Sequence, residues 1–105
     1  MSTALVCLCT CPSLEVAREL AHALVEARVA ACVNVLPGVT SVYRWEGDVQ
    51  EDTEVLLCMK TTSAAYPRLE DLLVRRHPYE LPEIVAVPVT TGFPRYLSWL
   101  RDAVS

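Results

Sequence analysis

A chain of 105 residues with 52% hydrophobic content has room for one packed core and no second domain. With 13 acidic against 9 basic residues the formal charge is -4, so no cationic field is present to neutralise a phosphate backbone, and nucleic acid is not an expected partner. Five cysteines, an odd number without CxxC spacing, argue against a disulfide framework or a zinc ribbon and for reduced thiols.

No apolar run approaches the roughly 20 residues of a spanning helix, and the first one, Ala4 to Leu8, is too short for a signal core. A soluble, cytoplasmic protein with no membrane partner is expected.

Leu5 to Thr10 is a short apolar run closed by Pro12 and Ser13, the pattern of a central strand. Ser13 caps the helix that follows, with Glu15 in the first turn where the helix dipole favours an anion. Leu14, Ala17, Leu20, Ala21, Leu24 and Ala27 give that helix one apolar face as far as about Arg28. From Cys32 to Trp45, β-branched and aromatic residues predict a strand, kinked at Pro37-Gly38. Glu46-Gly47-Asp48 is a turn. Val49 to Thr61 then alternates, with Val49, Thr53, Val55, Leu57 and Met59 on one face, so the two runs form a long hairpin.

Ser63 to His77 returns to helical period through Leu69, Leu72 and Leu73, interrupted near its start by Pro67 and ended by Pro78. Ile84 to Thr90 reads as a strand whose Pro88 suits a sheet edge. Pro94 opens a short terminal helix with Tyr96, Leu97, Leu100 and Val104 on one side. The order βαββαβ followed by a helix predicts one α+β, ferredoxin-like domain over residues 1–105. Two right-handed βαβ units joined by the hairpin give an antiparallel sheet with both helices on one face.

Each hairpin strand, of about 13 residues at roughly 3.3 Å each, reaches about 43 Å, while a helix of about 16 residues covers only about 24 Å. The uncovered part carries Val39, Val42, Tyr43 and Trp45. An exposed apolar edge of that length associates unless it is paired, which predicts a homo-oligomer, or else a hairpin that curls back to bury its own tip.

Several blocks are then recognisable: Leu8-Cys9-Thr10, Ala30-Ala31-Cys32-Val33-Asn34, Tyr43-Arg44-Trp45-Glu46-Gly47 and Lys60-Thr61-Thr62. His77-Pro78-Tyr79-Glu80-Leu81-Pro82-Glu83 and Tyr96-Leu97-Ser98-Trp99-Leu100 complete the set. In order and spacing, over nearly the whole chain, they resemble the CutA divalent-cation tolerance family. The resemblance implies a ferredoxin-like homotrimer with strands exchanged across subunit boundaries, and an association with copper or other divalent cations that folding does not require. It also implies a copper site made by a cysteine at the end of the first strand and a histidine pair before a Pro-Tyr motif. Those positions are here Cys9 and Arg76-His77. Arg76 stands where the first histidine belongs, and a guanidinium cannot ligate metal.

Thiolate and imidazole are the ligand types that suit copper or zinc. In the expected topology the second helix runs parallel to the first strand and brings His77 to the strand end carrying Cys9; the next strand starts there with Glu83. His77 has a second reading, as a protonated ring at the negative end of the helix dipole. Cys7, Cys9 and Cys11 share a face at intervals of about 6.6 Å, too far apart for one flat-strand site to hold all three. Cys7 reads as a core filler. Cys11, expected beyond the strand end, bends towards Cys9 in one reading, giving a Cys9–Cys11–His77 site that replaces the missing histidine. Cys32 and Cys58 read as buried fillers.

Tyr43, Trp45, Tyr79 and Trp99 either wall a ligand cleft between subunits, with Lys60 and Glu83 as its polar groups, or pack at the interface. There is no nucleophile elbow, HExxH motif or phosphate-cradling glycine loop. The expected function is a non-enzymatic trimer that binds or responds to divalent metal, chiefly copper. Two other readings stand beside it. One is a signalling module resembling the trimeric nitrogen-regulatory PII proteins, with a small ligand in inter-subunit clefts; the other is a structural adaptor for another protein.

Overall fold

A computed structural model describes residues 2–105. The elements are β1 (Ala4–Cys11), α1 (Leu14–Glu26), β2 (Cys32–Trp45), β3 (Asp48–Thr62), α2 (Tyr66–Arg76), β4 (Ile84–Pro88) and α3 (Pro94–Ala103), in the expected order. The strands form one antiparallel sheet in the order β2-β3-β1-β4. Period-2 alternation sends Cys7, Cys9 and Cys11 of β1 and Val55, Leu57 and Met59 of β3 to one face, against Ala17, Leu20 and Leu24 of α1 and Leu69 and Leu73 of α2. Ala4, Ala31 and Ala65 form a smaller core with Leu100 and Val104 at the end of the chain.

The boundaries that differ from expectation have local causes. β1 continues to Cys11 because Cys11 still pairs with Val55, so this cysteine lies inside the strand and faces the core. Ser13 caps α1 as expected, its Oγ accepting the Val16 N–H at 3.2 Å. The helix nevertheless stops at Glu26, because Arg28 takes a left-handed φ of 59°. The Val29 and Ala30 N–H groups then both donate to the Leu24 carbonyl.

α2 starts at Tyr66, later than Ser63, because Pro67 is tolerated only in a first turn. It releases His77 into extended backbone (φ -72, ψ 138) because Pro78 follows. β4 ends at Pro88, two residues short of Thr90, on the sheet edge where no ladder donor is needed. Cys32 and Cys58, expected to be buried, are half-buried: they lie on the sheet face opposite α1 and α2.

In the hairpin the β2–β3 register shifts between Leu36 and Val39, where Gly38 takes a φ of 82°. At the tip Glu46 and Gly47 both have positive φ, 50° and 87°, which matches the right-handed twist of the flanking strands. The molecule measures 44 × 25 × 22 Å. Its length agrees with the reach of about 43 Å expected for the hairpin. Val42 and Val49 stay 63% and 65% exposed, and Tyr43 and Trp45 are exposed as well. The hairpin therefore does not curl back to bury its own tip. No helix among the described residues is long and apolar enough to cross a membrane.

Burial of the core cysteines has a consequence at high pH. Burial, and then the nearby Cys58, push the Cys7 thiol up from 9.0 to about 11. Between those values the unfolded chain has lost a proton that the folded chain keeps, so this contribution to stability is complete below the lower value and declines towards the upper one. Urea denaturation should show a falling midpoint from about pH 9 to about pH 11, with a visibly smaller fall in Cys7→Ala. Equal slopes in the two proteins would contradict the assignment to Cys7.

Candidate metal centre

The end of β1 and the end of α2 meet at one corner of the core. Cys9 and Cys11 are fully buried there and His77 is 8% exposed, and their donor atoms all lie within 4.8 Å of one another. Two neighbouring thiols with no solvent between them cannot both ionise freely. The hydrogen bond with Cys11 raises the Cys9 pKa most, followed by burial and by the negative charge of Cys11, Glu83 and Glu54. Cys11 is lowered by the bond it receives from Cys9, against burial and the charge of Glu54. In the structure the Cys9 S–H donates to the Thr10 carbonyl at 3.7 Å, the same oxygen that His77 Nε2 meets.

His77 is held from both sides. Nε2 lies 2.8 Å from the Thr10 carbonyl, and Nδ1 accepts the Tyr79 N–H at 3.1 Å. A carbonyl cannot donate and an amide N–H cannot accept, so the ring is the neutral tautomer with its proton on Nε2. This corrects the reading of His77 as a cation at the helix end. Thr10 offers its carbonyl just past Cys9, where pairing with β4 stops.

The Tyr79 ring packs on His77 with centroids 4.7 Å apart, and its hydroxyl donates to Glu54 Oε2 at 2.6 Å. Burial, then the bond to Glu54, raises the Tyr79 pKa, so the hydroxyl remains a donor at neutral pH. Glu54 is a buried carboxylate opposite Val39, next to the register shift in the hairpin. Sequence reasoning missed it. The only available signal was an acidic residue, the last of the Glu51-Asp52-Thr53-Glu54 run, placed against the Pro37-Gly38 kink.

The remaining predicted residues are divided. Arg76 lines an exposed groove between α1 and α2 with Leu14, Arg18 and His22, apart from the cysteines. Glu83 is exposed and lies outside the three-donor cluster; it lines a groove of ≈ 600 Å³ with Thr10, Glu54, Tyr43 and Trp45. Tyr43 also donates to Asp52. Lys60 lies at the base of the hairpin, paired with Cys32 in the ladder and donating to Asn34. The expected cleft of Tyr43, Trp45, Lys60 and Tyr79 is therefore not assembled within a single chain.

A fold of this kind, with a buried thiol pair facing an imidazole, can be set against known proteins. Residues 5–103 match the family profile described as CutA1 divalent ion tolerance protein. The chain belongs to this family. A CutA from Thermus thermophilus, described as a divalent-cation tolerance protein, is 57% identical over 97 residues, covering 92% of this chain and 94% of its own. The mouse protein CutA is 50% identical over 93 residues, 89% of this chain, and the chain spans only 52% of its length.

Among solved structures, the T. thermophilus divalent cation tolerance protein superposes with a TM-score of 0.95 at 54% identity, covering 97% of this chain and 99% of its own. A CutA from Archaeoglobus fulgidus, titled a periplasmic divalent cation tolerance protein, gives 0.94 at 34% identity, with 97% and 99% covered. The CutA resemblance seen in the sequence blocks and the α+β fold expected from the order of elements both hold.

Proposed function

We propose that this CutA-family chain is a non-enzymatic, trimeric, cytoplasmic protein that binds copper through Cys9, Cys11 and His77. The observation that carries the reading is the approach of two thiols and one imidazole to within 4.8 Å in a buried corner. Sulfur and imidazole nitrogen are the donors that Cu(I) and Zn(II) prefer; binding would draw the three donors closer and displace one of the two hydrogen bonds that His77 now makes. Cys11 takes the place of the histidine that Arg76 displaces. The five free cysteines support a reducing compartment. The chain's own part would be to present the three donors and, by burying them, to exclude water.

Copper retained after equilibrium dialysis tests the site. Cys9→Ser and Cys11→Ser should each lower Cu(I) affinity at least about tenfold, while Cys58→Ser, on the opposite sheet face, should leave it within about twofold. Equal losses in all three variants, or no retention by the parent, would defeat it.

The trimer is supported by the uncovered hairpin. The groove beside Tyr43, Trp45 and Glu83 also supports a second reading, a small ligand held where a neighbouring copy brings up its Lys60. Three hairpins placed edge to edge leave no free strand. Sedimentation equilibrium should give three times the chain mass of 11.6 kDa. Tyr43→Ser with Trp45→Ser should shift the particle towards monomer or aggregate. A parent at the chain mass, or a double variant that remains wholly trimeric, would remove the hairpin as the assembly element.

A further inference from the structure

We propose that Cys32 is a thiol-exchange site that forms a mixed disulfide with a small acidic disulfide such as glutathione disulfide, selected by the charge of Lys60. The site lies on the sheet face opposite α1 and α2, away from the metal corner, and stands independently of the copper reading. Cys7, Cys9 and Cys11 are fully buried, so no exchange partner reaches them unless the core opens. Cys32 and Cys58 are the two half-buried thiols of the five. Cys32 is also the first residue of β2, an edge strand, so an incoming molecule meets it from the side where the sheet has no further strand.

In the ladder Cys32 stands opposite Lys60, and Asn34 opposite Cys58; paired residues point the same way, so the four side chains form a grid on one face. Lys60 Nζ donates to Asn34 Oδ1, which holds the ammonium over this grid beside the Cys32 sulfur. Tyr96 of α3, its ring packed on Trp99 with centroids 5.5 Å apart, meets the same sulfur. Burial raises the Tyr96 pKa most, followed by the charge of Cys32 and a hydrogen bond with it.

The Cys32 thiolate attacks one sulfur of the reagent. A new S–S bond to Cys32 forms, the reagent's own S–S bond breaks, and glutathione departs as a thiolate that takes up a proton in place of the one Cys32 gave to solvent. Cys32 is oxidised and the leaving sulfur is reduced. Cys58 does not resolve the adduct. Diagonal neighbours on paired strands lie about 7–8 Å apart, beyond the roughly 7 Å within which a disulfide closes without backbone movement. The Lys60–Asn34 hydrogen bond also runs along the other diagonal of the grid, between the two sulfurs. The adduct therefore persists until a small thiol removes it.

Incubation of the folded chain with glutathione disulfide, followed by intact and peptide mass spectrometry, tests the site. One glutathionyl group should appear, on the peptide that contains Cys32; Cys32→Ser should remove it and Cys58→Ser should leave it. Mapping on the parent decides the site even if Cys32→Ser does not fold. Charge selection is read from initial rates at low salt with glutathione disulfide and with cystamine, a cationic disulfide. Lys60→Gln should slow the acidic reagent about fivefold and speed the cationic one by a similar factor, while Lys60→Arg keeps the parent's preference. Modification first at Cys58 or at a core cysteine, an internal Cys32–Cys58 disulfide, or no adduct on the folded chain overturns the site. Equal changes towards both reagents in Lys60→Gln overturn Lys60 as the selecting charge.

Discussion

The hydrogen bond from His77 Nε2 to the Thr10 carbonyl ties the end of α2 to the end of β1, and the arrangement of the thiol–imidazole corner follows from it. Without it the residue after the helix, in extended backbone ahead of Pro78, would have no reason to turn inward. With it, the imidazole lies beside Cys9 and Cys11, and its second nitrogen draws in the Tyr79 amide. The bond also selects the neutral tautomer. A buried ring between a carbonyl and an amide is satisfied only in that form, which places the imidazole in the corner at no cost in buried charge.

The sheet supplies the other half of the corner. β1 is central, flanked by β3 and β4, and its core face carries cysteines at alternate positions, packed in the same core as residues of α1 and α2. The same sheet leaves its long hairpin beyond the reach of α1 and α2. The hairpin that lacks cover in one chain also supplies Glu54, at its register shift, as the acceptor of the Tyr79 hydroxyl beside the His77 ring.

Much of this was legible in the sequence. The element order, the edge position of Pro88, the cap at Ser13 and the approach of His77 to Cys9 follow from periodicity, proline chemistry and βαβ handedness. What was not legible depended on backbone partners or on register. Cys11 was placed outside the strand because Pro12 follows it, yet β3 extends the ladder to that residue. The state of His77 is set by a carbonyl and an amide, which leave no trace in side-chain patterns. Cys32 and Cys58 have the composition of core residues but lie on the sheet face opposite the two helices. The burial of Glu54 required the position of the bulge and of Tyr79 together.

The central claim is that one imidazole and two alternate thiols of a single strand form a donor set. X-ray absorption at the copper K-edge of the Cu(I)-loaded protein tests it most directly. The account predicts a shell of two sulfur atoms and one nitrogen, reduced to one sulfur in Cys11→Ser. A shell of oxygen and nitrogen alone, or one that Cys11→Ser leaves unchanged, would contradict it.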